Sequence, residues 1–145
     1  MIELSKFQLS DYEQVVNMYY EFTKEVYPNR KIGERYFLYK VVQKWINDGA
    51  DIVIATEGMI PIGFSVCYKD EFGGLTEPIY QCDIAYVKPH KRKSRAAYLL
   101  YNNAYEYAKQ LGLKVSTSGR TSNKVDKMMM KHFNLTQTFT TLEGV

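Results

Sequence analysis

The most constraining feature of the sequence is one stretch, V-K-P-H-K-R-K-S-R-A-A-Y-L-L-Y, which joins an apolar run to a long amphipathic segment. Pro89 cannot donate a backbone hydrogen bond to a sheet and keeps Lys88 extended, so a strand is predicted to end at Val87. Apolar residues then recur at helical spacing over residues 96–111, and Gly112 ends the predicted helix. The predicted buried stripe of this helix comprises Leu100, Ala104, Tyr107, Ala108 and Leu111.

The loop between this strand and this helix is basic and contains small residues where the helix begins. The first N–H groups of a helix have no partner inside the helix, and the helix dipole makes that end positive. Cations and small side chains at such a place suit a phosphate group. A solvated basic turn between two core elements is the alternative interpretation. The basic residues are Lys88, His90, Lys91, Arg92, Lys93 and Arg95, and the small residues are Ser94, Ala96 and Ala97.

The same stretch resembles the cofactor-binding motif of the GNAT superfamily of N-acetyltransferases. In that motif V-x-P precedes an Arg/Gln-x-x-Gly-x-Gly/Ala loop, which holds the pyrophosphate of acetyl-coenzyme A. Val87 and Pro89 match the first part. With Arg92 in the Arg/Gln position, the two small positions fall on Arg95 and Ala97. A register one residue earlier has small residues at both positions, but neither register contains a glycine.

Composition sets limits on the class of protein. A chain of 145 residues fits one domain with a buried core, and we expect a single domain over residues 1–145. The net charge of +3 indicates a modest anionic partner and disfavours nucleic acid, although a small nucleic-acid-binding module stays an alternative. Cys67 and Cys82 lack metal-ligand spacing, so no metal site is expected. Without a signal or membrane-spanning pattern, we expect a cytoplasmic protein with no membrane attachment.

Hydrophobic periodicity and turn residues predict an α/β chain with the order β-α-α-β-β-β-α-β-α-β. The resemblance implies a GNAT-type fold, with a mixed and mostly antiparallel central sheet and four helices. Ser10 and Glu13 are predicted to form a capping box at the start of the first helix. Ten residues follow Leu135. The final strands are therefore expected to be shortened, or completed by a second copy in a homodimer.

The resemblance also implies roles for individual residues. The backbone of the strand before the loop would pair with the pantetheine arm of acetyl-coenzyme A and polarise the thioester carbonyl, while the loop would hold the pyrophosphate. The cofactor-binding residues predicted in this way are Ile84, Ala85, Val87, Lys91, Arg92, Lys93, Ser94, Arg95, Ala96, Ala97 and Asn123.

Asp83 is the predicted proton acceptor for the attacking amine. It is the one carboxylate in the apolar run Y-Q-C-D-I-A-Y-V, and partial burial would raise its pKa. The alternative is an aspartate on the solvent face of an edge strand.

The residue that would donate a proton to the leaving thiolate follows less directly from the resemblance. GNAT enzymes often carry a tyrosine in the last helix, seven residues after an asparagine, and counting from Asn123 places Met130 there. Methionine cannot donate a proton. Tyr86, our first choice, or Tyr98 or Tyr101 would replace the tyrosine; otherwise the thiolate leaves unassisted or catalysis has been lost.

The acceptor is expected to contact the loop between the first two helices and the central strand. Tyr27, Arg30 and Tyr80 are the predicted substrate residues. The sequence thus predicts transfer of an acetyl group from acetyl-coenzyme A to a primary amine of a small molecule or protein. The alternative within the same fold is a catalytically inactive domain used for binding or assembly.

Overall fold

The computed structural model describes residues 1–29, 35–72 and 77–117 of the chain. In these ranges three α-helices and two 3-10 turns accompany a five-stranded sheet. The strands are β1 (Ile2–Lys6), β2 (Asp51–Glu57), β3 (Ile60–Asp70), β4 (Ile79–Val87) and β5 (Lys114–Thr117), and the helices are α1 (Tyr12–Val26), α2 (Arg35–Asn47) and α3 (Ala96–Leu111). The predicted order is confirmed from β1 to β5. The predicted last helix and last strand lie outside the described residues.

The sheet has the strand order β1-β2-β3-β4-β5. The first three pairings are antiparallel, and β4 pairs with β5 in parallel. A parallel pair needs a crossover connection, and α3 provides it. The mixed, mostly antiparallel sheet that the sequence predicted is therefore confirmed. None of the described helices has the length and apolar character needed to cross a membrane.

Helices cover both faces of the sheet. Buried residues of α1 and α2 pack with Phe64, Val66, Ile84 and Tyr86 on one face. Buried residues of α3 pack on the other face, against two clusters that include Cys82 and Val87. The sheet is therefore buried on both sides where β3 and β4 cross its centre.

The start of α1 differs from the prediction. A 3-10 turn precedes the helix, and its capping box is formed by Gln8 and Asp11, with the Gln8 N–H donating to Asp11 Oδ2 at 2.8 Å. The predicted box of Ser10 and Glu13 is wrong. The Glu13 carboxylate instead accepts from Arg35 of α2, so a contact between helices uses the side chain that the local motif required.

The predicted bounds of α3 are confirmed, and Gly112 ends the helix in the left-handed region with φ +71°. Its buried stripe is shifted. Tyr107 and Leu111 are 39% and 45% exposed, whereas Ala96 and Tyr101 are buried. The row that faces the sheet repeats every four residues and contains three alanines, which let the helix axis approach the sheet closely. The row consists of Ala96, Leu100, Ala104 and Ala108.

Gly63 is required where β3 and β4 come close together. It pairs with Val87, and a Cβ on it would lie 2.5 Å from the Tyr86 carbonyl oxygen and 3.3 Å from Val87 Cα. The closest atoms belong to the backbone, so they cannot rotate away as a flexible side chain would.

We therefore expect Gly63→Ala to lower the free energy of unfolding by about 1–3 kcal/mol, because the two strands must separate locally. Urea denaturation followed by circular dichroism measures this change. Ile60→Val, at an exposed position of the same strand, is the control and should stay within about 0.5 kcal/mol of the wild type. Equal stability of the two variants would show that the strands have room for the extra methyl group.

Candidate functional site

A bulge interrupts β4 at Asp83. Cys82 pairs with Cys67 and Ile84 pairs with Val66, so Asp83 is an extra residue without a partner position on β3. Because successive side chains of a strand point to opposite faces, one extra residue reverses the alternation. Cys82 accordingly faces α3, while Ile84, two positions later, faces α1 and α2.

On its other edge β4 pairs with β5 as far as Cys82, which lies opposite Thr117, the last described residue of the chain. The parallel pairing with β5 runs from Ile79↔Lys114 to Cys82↔Thr117. Beyond this point, residues 83–87 of β4 have no strand partner on that edge within the described ranges. We call this edge of residues 83–87, which is unpaired within the described ranges, the fork; Asp83 lies at its start.

The backbone of β4 presents alternate residues to this fork. The Lys88 N–H donates to the Ile62 carbonyl of β3 at 2.8 Å. In an antiparallel ladder every second residue faces the same neighbour, so Ile84 and Tyr86 also direct their backbone groups to β3. Ala85 and Val87 direct theirs to the open edge. Of the three strand residues predicted to bind the cofactor, Ala85 and Val87 present their backbone groups to this edge, whereas those of Ile84 face β3.

The basic loop after β4 is closed by Ser94. Its hydroxyl donates to the Lys91 carbonyl at 2.5 Å and accepts from the Ala96 N–H at 3.2 Å. The N–H groups of Lys93, Arg95 and Ala97 donate to no acceptor in the described part of the chain. Three backbone donors next to a helix N-terminus are the arrangement that binds phosphate oxygens.

Two of the predicted phosphate-binding cations are held by the protein itself. Lys91 forms an ion pair with Glu57, which lowers the pKa of that carboxyl. Arg92 forms an ion pair with Glu25, and its Nε donates to the Val87 carbonyl at 2.9 Å.

The next two cations of the loop lie further out. Lys93 is exposed and forms no ion pair with the residues that the structure describes. The Arg95 guanidinium lies 5.2 Å from the centre of the Tyr98 ring, one turn along α3. Lys93 is therefore the cation of the loop that is most available to an incoming anion.

Asp83 lies at the fork, but its side chain is exposed. The partial burial that the sequence prediction assumed is therefore wrong. The bulge explains this exposure, because it rotates the extra residue out of the ladder. Burial raises the pKa of Tyr19 and of Tyr68, and the charge of Asp83 raises both further. The carboxylate is thus within electrostatic range of both phenols.

Tyr86 is 4% exposed and packs edge-on against Phe22 at a ring distance of 6.2 Å. Burial raises the pKa of Tyr86, and the nearby Arg92 opposes part of this shift. The phenol therefore keeps its proton at neutral pH and can serve as a donor. Tyr98 and Tyr101, the alternative donors, lie on α3 at the opposite face of the sheet.

Tyr80, predicted as a substrate residue, is used inside the protein. It lies at the amino end of β4, before the bulge, and is 3% exposed. Its hydroxyl donates to Asp51 Oδ2 at 2.6 Å, and burial followed by this hydrogen bond raises the pKa of Tyr80 far above its usual value. This position does not support the predicted substrate contact.

The other predicted substrate residues divide into two groups. Tyr27 directly follows α1, and it raises the pKa of Tyr19 electrostatically, after the larger effect of burial. Arg30, like Asn123 and Met130, lies outside the described residues.

Sequence reasoning missed Tyr19 and Tyr68. Neither residue was predicted to belong to the site. The electrostatic effect of Asp83 on both depends on the tertiary structure, and the bulge at Asp83 is not visible in the sequence. The one hint in the sequence was that each of these apolar positions carries an aromatic ring with a polar hydroxyl group.

Comparison with known proteins was made by family models, by curated sequences and by solved structures. No protein-family model matches the chain. No curated protein matches it. Solved structures do match. A predicted acetyltransferase from Clostridium acetobutylicum, determined with acetyl-CoA, has a TM-score of 0.75 at 15% identity, and the match covers 95% of this chain and 92% of that one.

Two further structures agree. An aminoglycoside N-acetyltransferase in complex with CoA has a TM-score of 0.77 at 13% identity, covering 98% of this chain and 92% of that one. A transcriptional regulator from Bacillus halodurans has a TM-score of 0.79 at 13% identity, covering 98% and 97%. The chain has the GNAT fold. The resemblance stated from the sequence is thereby confirmed at the level of the fold.

The fork lies at the carboxyl half of β4, whereas Tyr80 lies at the amino end of the strand. We therefore expect Tyr80→Phe to reduce stability by about 1–2 kcal/mol, because Asp51 loses its buried donor. Urea denaturation measures this loss of stability. Tyr107→Phe is the matched control, since the Tyr107 hydroxyl has no hydrogen-bond partner among the described residues.

The same variant should leave the affinity for coenzyme A unchanged, as titration calorimetry can show. A tenfold weaker affinity of Tyr80→Phe for coenzyme A or for an amine substrate would restore Tyr80 as a ligand contact.

Proposed function

We propose that the protein is an N-acetyltransferase that moves an acetyl group from acetyl-coenzyme A to a primary amine of a small molecule or protein. The observation that carries the proposal is the edge of β4 at residues 83–87, unpaired within the described ranges, which leads from unpaired N–H groups at the start of α3 to the bulge at Asp83. Neighbouring structures with acetyl-CoA or CoA bound support it. The cytoplasmic location and the homodimer stay predictions from the sequence.

The residues at the fork fit coenzyme A. The free N–H groups of Lys93, Arg95 and Ala97 would bind the pyrophosphate, and the exposed Lys93 side chain would add a positive charge. From Val87 to Asp83 the strand spans about 13 Å at roughly 3.3 Å per residue, a length suited to an extended pantetheine arm. Ala85 would pair with the amide groups of that arm, as a strand adds to a sheet edge.

Acetyl-coenzyme A would supply an activated thioester. The Ala85 N–H, the donor closest to the bulge on the open edge, would bind the carbonyl oxygen and stabilise the negative charge that develops there. Asp83 would accept the proton that the amine loses as its nitrogen bonds to the acetyl carbon. The carbon–sulfur bond then breaks, and Tyr86 would donate a proton to the thiolate. Loss of one proton from Asp83 to solvent and uptake of one proton from solvent by Tyr86 would return both residues to their starting states.

Arg92 has a supporting role in this proposal. Its guanidinium bridges the Val87 carbonyl and Glu25 of α1, and it lies over the Tyr86 ring. It therefore fixes the loop to the helix that carries the acceptor side, and it lowers the cost of negative charge near Tyr86.

We expect Lys93→Glu to weaken coenzyme A binding about tenfold or more, because an attraction to the diphosphate becomes a repulsion. Titration calorimetry at low salt measures the dissociation constant. Lys109→Glu is the matched control, since it makes the same charge change at the far end of α3. An equal affinity of the two variants would mean that the loop does not bind the diphosphate.

We expect Asp83→Asn to lower kcat by about a hundredfold or more, because the amide cannot accept the proton from the amine. The affinity for coenzyme A should not change, since Asp83 lies at the far end of the fork from the loop. Release of free thiol from acetyl-coenzyme A, followed with a panel of amines, gives kcat. A turnover close to that of the wild type would assign proton removal to water or another group.

A further inference from the structure

A second cavity lies at the other end of the sheet from the basic loop. Its volume is about 480 Å³, within the range of small-molecule sites, and it lies between α3 and the strands β1 and β2. Tyr80, at the amino end of β4, contributes to its wall, whereas the basic loop follows the carboxyl end of that strand. None of the described residues that line the cavity belongs to residues 83–97, so it is separate from the fork.

One wall of the cavity is a polar stripe on α3. Asn103, Tyr107 and Gln110 line it, and their spacing of four and three residues places them on one side of the helix. The Tyr107 ring meets the Tyr80 ring edge-on at 5.3 Å. Asn103 and Gln110 are exposed, and their side chains form no hydrogen bond with the residues that the structure describes. Their amide groups can therefore donate to a ligand and accept from it.

The opposite wall carries two opposite charges, Lys6 on β1 and Asp51 on β2. Leu4 and Val53 pack beneath α3, and because side chains alternate along a strand, Lys6 and Asp51 share that face. Lys6 pairs with Val53, so Asp51 occupies the diagonal position. Diagonal neighbours on two strands are about 7–8 Å apart. Lys6 and Asp51 form no ion pair with each other.

Each of the two charges has capacity for a ligand. The Tyr80 hydroxyl donates to Asp51 Oδ2 at 2.6 Å and so orients the carboxylate, while Oδ1 accepts no hydrogen bond from a described residue. The Lys6 ammonium is exposed and forms no ion pair or hydrogen bond with the described part of the chain. An oriented carboxylate lowers the entropy cost of binding, and its charge strengthens a hydrogen bond from a cationic donor.

The balance of charge favours a ligand that carries both signs. Lys6 and Asp51 are the charged residues among the described lining residues, and nearby charges are paired within the protein, Asp48 with Lys44 and Glu106 with Lys109. A purely anionic or cationic ligand would pair with one of the two lining charges and be repelled by the other.

The dimensions and the apolar lining narrow the class further. Two charge-assisted hydrogen bonds of about 2.8 Å each, joined by the short link between the ammonium and carboxylate groups of an α-amino acid, bridge a gap of this size. The rest of the lining offers apolar surface to a side chain. Its apolar members are Leu4, Phe7, Ile46 and Val53.

We propose that this cavity binds a zwitterionic α-amino acid with an apolar side chain, its ammonium group at Asp51 and its carboxylate at Lys6. Asn103 and Gln110 complete the hydrogen bonds of the two charged groups, and the apolar side chain lies against Tyr107. The site is additional to the proposed acetyltransferase site and does not depend on that function.

The test compares L-leucine with two analogues that each lack one charge. The amine 3-methylbutylamine has no carboxylate, and 4-methylpentanoate has no ammonium group. Titration calorimetry measures the binding of each to the full chain without coenzyme A, so that no acetyl transfer can occur. We expect leucine to bind about tenfold or more tightly than either analogue, because it alone pairs with both charges.

Two variants assign each charge of leucine to its partner. Lys6→Met keeps the apolar stem, and it should weaken leucine binding about tenfold while leaving 3-methylbutylamine binding unchanged. Asp51→Asn can still accept from Tyr80, and it should weaken leucine binding about tenfold without weakening 4-methylpentanoate binding. Lys40→Met is the matched control, since Lys40 is exposed on α2 and does not line the cavity.

The outcomes decide the proposal directly. Absence of saturable leucine binding, or equal binding of either analogue, overturns it. Unchanged leucine affinity in Lys6→Met overturns it as well, and because Lys6 is exposed and has no partner among the described residues, this variant remains decisive should Asp51→Asn fold poorly. Coenzyme A binding and thiol release test the acetyltransferase proposal separately, so either proposal can fail without the other.

Discussion

The extra residue in β4 is the constraint on which the rest of the site depends. Backbone N–H and C=O groups must be paired wherever they are buried, so one unmatched residue forces the strand to change its alternation and its direction. Before Asp83, β4 pairs with strands on both edges, and after it one edge is open within the described ranges. The same residue places a carboxylate at the point of divergence. One extra residue thus determines both the path of the β4 backbone and the position of the carboxylate.

The basic loop achieves its shape without the glycines of the GNAT motif. Arg95, at the first small position, has φ −81° and ψ 4°, a conformation open to any L-residue, so its backbone does not need glycine. Its side chain lies along Tyr98 on the surface of α3. The Ser94 hydroxyl closes the turn, and the ion pairs of Lys91 and Arg92 attach it to the β2–β3 hairpin and to α1. Side-chain contacts therefore hold the loop in a shape that glycines give in the GNAT motif, and the backbone N–H groups of the loop stay available.

The ion pairs also explain why a crowded set of cations does not act as a single anion site. Lys91 and Arg92 have partners close by, and a partnered cation attracts a further anion less strongly than a free one. Their main contribution is to hold the loop against its neighbours. Arg92 reaches Glu25 near the end of α1, two residues before Tyr27, and so connects the basic loop with that helix.

The order of elements was determined by the sequence, because apolar periodicity, proline and glycine act over a few residues. Those local rules located α3, β5 and the end of β4 correctly. They misplaced the start of α1, where Glu13 binds Arg35 of a second helix, and the burial of Asp83 and Tyr80. Which cations form ion pairs and where β4 carries its extra residue were decided only by tertiary structure. Each depends on contacts between residues far apart in the chain, and no short-range pattern encodes them.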